Sequence, residues 1–180
     1  MKKLALAFTV LALPAIAWAE EADEKLAPTI SCDQFRERLR DALLGNREGI
    51  ALVDLFTGPK KEKFEVSGIQ AAITCSRVGM FEGFGASLLE TDDGSARRYA
   101  RFSAAAVRAT EPSFDHAAAL TFVVSLAKTA LQEARRNERR SGWLTGNAEE
   151  NLGSYVVDYT MHNALVSTQI DLRYKQEHLE

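Results

Sequence analysis

The sequence has few of the residues that usually carry chemistry. Its 180 residues include two cysteines and three histidines, with no Cys-x-x-Cys pair and no two histidines four positions apart. Zinc sites and dithiol redox centres usually need such spacings, so we predict neither a metal site nor a cofactor. No nucleophile elbow and no complete phosphate-binding glycine motif occurs either. The sequence therefore predicts no catalytic residue.

Long apolar runs are also scarce. The first run, from Leu4 to Ala17, follows two lysines and is shorter than the ~20 residues of a membrane span. Trp18 and Ala19 complete the small-x-small pattern of a cleavage site. We therefore predict an exported protein, periplasmic or secreted, with no transmembrane segment in the mature chain. The predicted divisions are a signal peptide at 1–19, a disordered leader at 20–28, a single domain at 29–175 and a tail at 176–180.

Basic charge is not in excess. The full chain has a formal net charge of -3, and removal of residues 1–19 takes away two lysines and no acidic residue. The remaining 20 basic and 25 acidic residues give a net charge of -5. A mildly acidic chain is not generally attracted to phosphate backbones. We therefore expect no nucleic-acid partner.

The two cysteines, Cys32 and Cys75, are predicted to form a disulfide. An even number of cysteines in an exported chain favours pairing. The alternative is a reactive thiol, because Cys32 lies in the first turn of a predicted helix, where the positive end of the helix dipole stabilises a thiolate. No histidine is near either cysteine in the sequence, which favours the disulfide. In the loop-entropy model such a bridge contributes on the order of 4 kcal/mol.

Apolar periodicity predicts an α+β domain. A capping-box pattern at Ser31 and Gln34 begins a helix, and four strands with turn residues between them follow as far as Leu89. Two helices, a loop and a terminal hairpin complete the chain, in the order α-β-β-β-β-α-α-β-β. Strands joined by short turns predict an antiparallel sheet, here of about six strands, packed against helices.

The later elements have approximate limits in the sequence. We predict helices at about 96–109 and 114–140, a loop at 143–151 and a hairpin that turns at His162 and Asn163. The second of these helices is apolar from Ala117 to Leu131 except for a thin polar seam of Thr121, Ser125, Lys128 and Thr129. We therefore expect it to be the central core helix.

Two glycines in the predicted fourth strand are candidates for a pocket or a close approach. Gly83 and Gly85 share one strand face with Phe81 and Ser87, which leaves that face unusually bare. A ligand could approach the backbone there. A β-bulge or a tight helix contact is the structural alternative.

Two groups of arginines are candidate surfaces for an anion or an acidic partner, such as lipid head groups or cell-wall polymers. Arg97, Arg101 and Arg108 follow one stripe of the first late helix, and Arg135 and Arg139 lie in the last turns of the next. Solvated helix faces are the alternative for both groups. Cations at a helix C-terminus are in any case stabilised by the helix dipole.

The absence of a recognisable catalytic set favours a non-enzymatic binding or interaction protein of the cell envelope. Its partner would be an envelope protein or a small ligand. One alternative is an envelope hydrolase that uses some combination of Asp54, His116 and His162. Another is a periplasmic assembly or folding helper. Functional residues can meet in space without forming a sequence motif, so these alternatives stay open.

Overall fold

The computed structural model describes residues 30–44, 53–57, 61–66, 68–89, 94–163 and 165–173. The predicted signal peptide, leader and tail lie outside the described residues. The elements are α1 (Cys32–Leu44), β1 (Val53–Thr57), β2 (Lys61–Val66), β3 (Ile69–Cys75), β4 (Phe81–Leu88), α2 (Ser95–Thr110), α3 (His116–Ser141), β5 (Thr145–Leu152), β6 (Tyr155–His162) and β7 (Leu165–Leu172). Within the described ranges, none of the helices has the length and apolar character needed to cross a bilayer.

The strands form one antiparallel sheet in the order β1-β2-β3-β4-β7-β6-β5. Two meanders, β1 to β4 and β5 to β7, meet where β4 pairs with β7. The predicted α+β class and antiparallel sheet are confirmed. The described sheet has seven strands rather than about six, because the segment predicted as a loop at 143–151 contains β5.

β5 is a strand because of what packs on it. Its sequence, TGNAEENL, has few of the β-branched and aromatic residues that favour strands. A Cβ on Gly146 would collide with the backbone of α3 at Ala130 and Ala134, so helix and strand are in direct backbone contact. Along its outer edge, the Asn147 N–H donates to Glu133 Oε2 at 2.7 Å. Tertiary contacts with α3 therefore outweigh a weak local preference.

All three helices cover one face of the sheet, which we call the helix face. α2 is in contact with both α1 and α3, and it is the most buried of the three. Phe102, Ala104 and Val107 of α2 are fully buried. α3, which we expected to be the central core helix, instead buries a single stripe that includes Ala119 and Val123 and exposes much of the rest. Alanine is small enough to be tolerated on either side of a helix, so an apolar composition did not distinguish the two.

α1 is fixed to the sheet at its first residue. The predicted capping box is present, since the Gln34 N–H donates to Ser31 Oγ at 3.1 Å and the Ser31 N–H donates to Gln34 Oε1 at 3.0 Å. The Cys32–Cys75 disulfide is confirmed, with the two Cα atoms 6.1 Å apart. Next to it the Phe35 ring stacks on Phe81 with centroids 4.1 Å apart. The bridge therefore holds the first helix against the end of β3, as predicted.

A buried hydroxyl cluster sets the position of α2 on the sheet. The Tyr99 hydroxyl lies 3.0 Å from the Ala86 carbonyl oxygen and 2.9 Å from Thr168 Oγ1, which is in turn 3.2 Å from Ser103 Oγ. Burial raises the pKa of Tyr99 above its ordinary value, and burial alone raises the pKa of the adjacent Tyr159 to about 12. Both phenols are therefore neutral under ordinary conditions. Buried polar groups that are satisfied in this way favour one docking position over others.

Candidate functional site

The side of the sheet that faces away from the helices, which we call the open face, carries small and polar side chains. On β3, β4 and β7 these residues alternate with the buried residues of the helix face. They are Gln70, Ala72 and Thr74 on β3, Gly83, Gly85 and Ser87 on β4, and Ser167, Gln169 and Asp171 on β7. Lys63 on β2 pairs with Ala72 and is exposed on the same side.

A β-bulge decides which residues of β4 belong to the open face. Thr74 pairs with Gly83, but the next residue of β3, Cys75, pairs with Phe81. One extra residue, Glu82, is therefore inserted on β4 and reverses the alternation. Phe81 consequently lies in the core, fully buried, and does not share a face with Gly83 as we expected. The rest of the expected face, Gly83, Gly85 and Ser87, is retained.

The two glycines have different surroundings. At Gly83 an added Cβ would lie 2.5 Å from Asp171 Oδ1 and 3.1 Å from the Ile170 carbonyl oxygen. The Asp171 carboxylate therefore lies directly over Gly83, in a space that any side chain at that position would take. At Gly85 the nearest atom to an added Cβ is Gln169 Cγ at 3.9 Å. Gly83 is thus a position of close approach, whereas Gly85 adjoins open space.

Gly85 lines a cavity of about 500 Å³ on the open face. The cavity extends over four strands, from Lys63 on β2 to Asp171 on β7. Its lining residues also include Gln70, Ala72, Thr74, Ser87, Ser167 and Gln169. Phe84 lines it too, but its ring belongs to the helix face, where its centroid is 5.7 Å from that of Phe35. The lining is therefore rich in amides and hydroxyls, with small residues in the middle.

Charged side chains lie on both sides of the open face. Lys63 lies on β2, and the carboxylate of Asp171 lies three strands away on β7. Neighbouring strands are ~4.8 Å apart, so β2 and β7 are separated by about 14 Å across the sheet. Asp158 lies on the next strand, β6, where it pairs with Gln169 of β7. Its Oδ1 accepts a hydrogen bond of 2.7 Å from the Thr160 hydroxyl. On the β2 side Glu65, which pairs with Gln70, shares the open face with Lys63, whereas Asp171 and Asp158 place carboxylates on the β7 and β6 side.

Most of these polar residues were not singled out from the sequence. The polar alternation of Gln70 and Thr74, and of Ser167 and Gln169, was visible as a period of two. What the sequence could not indicate is that β7 pairs with β4, because the two strands are far apart in the chain and four elements lie between them. Without that pairing, Lys63 and Asp171 have no relation to each other or to the glycines.

The two arginine groups differ in exposure. Arg97 is exposed, but Arg101 and Arg108 are half-buried on α2. Arg101 also has further interactions with its neighbours. Arg135 and Arg139 are exposed in the last two turns of α3. A partner could reach the α3 group more easily than the α2 group.

The residues considered for a hydrolase are not brought together. His116 is the first residue of α3 and His162 the last of β6. The far end of α3 is joined to the strand beside His162, since Asn137 Nδ2 donates to the Thr145 carbonyl oxygen at 2.7 Å and Thr145 pairs with His162. The two histidines are therefore near opposite ends of a helix about 39 Å long. The Asp54 side chain lies outside the described residues, and the described residues contain no group of three or more potential metal ligands.

Comparison of the chain with protein-family models, with curated proteins and with solved structures found no match. Assignment of a function therefore depends on the open face and on the exposed surfaces of the chain itself.

Proposed function

We propose that this chain is an exported, non-enzymatic binding protein that holds a short zwitterionic peptide on the open face. The observation that carries the proposal is the cavity of about 500 Å³, with a lysine on one side and an aspartate on the other. Binding sites are usually concave and have a few polar groups that fix the orientation of the ligand. Lys63 would contact a carboxylate and Asp171 an ammonium group.

The size and lining of the cavity support a peptide. An extended chain rises ~3.3–3.6 Å per residue, so about four residues cover the 14 Å between β2 and β7. Between them, the side chains of Gln70 and Gln169 can both donate to and accept from peptide groups. Gly85 and Ala72 leave room for the backbone of the ligand to approach the sheet.

Two further features support export. The first 19 residues have the tripartite pattern of a secretory signal. The disulfide between Cys32 and Cys75 is a bond that persists in oxidising compartments such as the periplasm or the cell exterior.

Isothermal titration calorimetry with tetraalanine tests the ligand class. We expect saturable binding of the peptide with free termini and at least tenfold weaker binding of the N-acetylated, C-amidated form, because capping removes both charges. Lys63→Met should weaken binding of the free peptide at least tenfold. Lys128→Met, which removes an exposed lysine on α3, is the matched control and should leave the affinity unchanged.

Gly85→Val tests the cavity itself. The backbone there does not need glycine, and an added Cβ makes only ordinary contacts, so the variant should fold while its side chain fills the cavity. We expect binding of tetraalanine to be lost. Equal binding by Gly85→Val and the parent chain would contradict the proposed site. Cleavage of the peptide, detected by mass spectrometry, would contradict a non-enzymatic role and favour the hydrolase alternative.

A further inference from the structure

Exposed apolar side chains are concentrated at one end of the sheet. Five large ones are exposed in the described residues. Three of them, Leu89, Trp143 and Leu165, are 50%, 61% and 47% exposed and lie where β4 and β6 end and β5 and β7 begin. We call this the Trp143 end. Val78, in the turn between β3 and β4, lies at the opposite end, and Leu44 ends α1.

The strand register determines how the three residues are arranged. Leu88 pairs with Val166, so Leu89 and Leu165 are the next residues on two adjacent strands. Trp143 precedes β5, two strands further along, and the Asn163 N–H donates to the carbonyl oxygen of the adjoining Leu144 at 2.7 Å. At ~4.8 Å per strand, the three apolar side chains extend over about 15 Å.

Trp143 is exposed by a well-defined turn. Gly142 ends α3 with φ 77°, and its N–H donates to the Glu138 carbonyl oxygen at 2.9 Å. The Trp143 carbonyl oxygen accepts from the Thr145 N–H at 3.1 Å. Hydrogen bonds on both sides of Trp143 thus fix its backbone. The indole is exposed to solvent, although burial of so large an apolar surface is strongly favourable.

Four cations precede this tryptophan by three to eight residues in the chain. Arg135, Arg136, Arg139 and Arg140 are all exposed in the last two turns of α3. Of the two acidic residues nearest to them on α3, Glu138 is exposed, whereas Glu133 accepts a hydrogen bond from the backbone of β5. The whole chain has a net charge of -3, so this positive end is opposite in sign to the molecule that carries it.

We propose that the Trp143 end docks on the surface of an anionic phospholipid bilayer. Tryptophan favours the boundary between lipid and water, and exposed leucines can enter the same layer. Arginines close to an anionic surface add electrostatic attraction, while their stems can lie along apolar material. Arg135 and Arg139 are one turn apart, about 6 Å along the helix, and the head-group layer on each side of a bilayer is about 5–8 Å thick.

A bilayer fits these observations better than an acidic protein. The apolar side chains are spread along a rim, and exposed polar residues such as His162 and Asn163 lie between them. Protein interfaces usually have a contiguous, tightly packed centre. A fluid surface can accept each apolar side chain separately, so it needs no such centre.

Vesicle binding tests the proposal in the full chain carrying Trp18→Phe, which leaves Trp143 as its sole tryptophan. Vesicles of phosphatidylcholine are compared with vesicles of phosphatidylcholine and phosphatidylglycerol in equal amounts. We expect sedimentation with the anionic vesicles to exceed that with the neutral vesicles at least tenfold. The fluorescence emission of Trp143 should shift to shorter wavelengths with the anionic vesicles.

Matched double variants distinguish the contribution of the Trp143 end to vesicle binding from that of net charge. The N-terminal apolar run contributes equally in each, because all variants retain it. Arg139→Glu/Trp143→Ala should lower the partition coefficient on anionic vesicles at least tenfold. Arg77→Glu/Val78→Ala makes the same charge reversal and also truncates an exposed apolar side chain at the opposite end, and it should leave the partition coefficient unchanged. Circular dichroism verifies that both variants fold.

Three results would overturn the proposal. One is equal binding to neutral and anionic vesicles, and another is equal loss of binding in the two double variants. The third is no shift of Trp143 emission with anionic vesicles, accompanied by binding of polyglutamate that requires Arg139. That last result would favour an acidic protein as the partner. None of these measurements depends on the peptide cavity, so each proposal can fail separately.

Discussion

The helix face and the open face use neighbouring positions of the same strands. The helix face carries Ile73, Phe84 and Ile170, each 2% exposed or less. The open face carries Thr74, Gly85 and Gln169. The first set consists of large apolar side chains and the second of small or polar ones. Strand residues alternate in direction, so one sheet can separate the two sets completely. The comparison indicates that the large apolar side chains of these strands pack on the helix face, and the binding that we propose for the open face would not need them.

The largest expected effect contrasts a substitution on each face. Phe84→Ala removes a ring that is 2% exposed and lies 5.8 Å from Phe102 and 5.7 Å from Phe35, centroid to centroid. We expect it to lower the free energy of unfolding by about 3 to 5 kcal/mol. Gln70→Ala, on the exposed open face, should change it by less than about 0.5 kcal/mol. Urea denaturation followed by circular dichroism measures both, and equal losses would show that the open face also contributes to packing.

The disulfide is expected to have the next largest effect, because it fastens α1 to the helix face. Cys32→Ala/Cys75→Ala should lower the free energy of unfolding by about 2 to 4 kcal/mol, since the unfolded chain regains the freedom of a loop with a sequence separation of 43 residues. Mass spectrometry under denaturing conditions gives the control. A native chain that is two hydrogens heavier than the oxidised form would show that the bridge is absent in solution.

A smaller effect on the free energy of unfolding is expected at high pH, and it comes from Tyr159, which is buried on the helix face. Burial raises the pKa of Tyr159 to about 12, whereas the tyrosines of an unfolded chain ionise near pH 10. A raised pKa means that the folded state retains its proton longer. The stability from this group is therefore complete below pH 10 and is lost as the pH rises to about 12, on the order of 2 kcal/mol.

Alkaline titration of unfolding in the parent chain and in Tyr159→Phe checks this expectation. The variant should lose less stability between pH 10 and pH 12, because it has one phenol fewer to ionise. Parallel curves for the two chains would exclude Tyr159 as a cause of the alkaline decline.

The sequence predicted features that depend on residue types or on near neighbours. The capping box at Ser31 and the bridge between Cys32 and Cys75 follow from residue types and from the expected compartment. The turn at Asn163, where φ is 53°, was predicted because an alternating apolar segment lies on each side of it. Asparagine also tolerates a positive φ.

The features that the sequence predicted wrongly or did not indicate depend on contacts between distant residues. β5 needs the backbone of α3 against Gly146, and no local preference indicates that contact. The bulge at Glu82 moves Phe81 to the other face. The pattern of apolar and polar residues in β4 does not show where that extra residue is inserted. The cavity needs β4 beside β7, a pairing that the order of elements alone does not determine.

The contact between α3 and β5 also limits how the sheet can grow. An exposed edge strand can pair with the edge of another molecule, but along the first half of β5 Glu133 and Asn137 already hydrogen-bond to outward backbone groups. A second copy would find the Thr145 carbonyl oxygen and the Asn147 N–H already occupied, so filament growth or strand exchange is disfavoured there. The same helix that gives β5 its structure thus protects the molecule from polymerisation along that stretch.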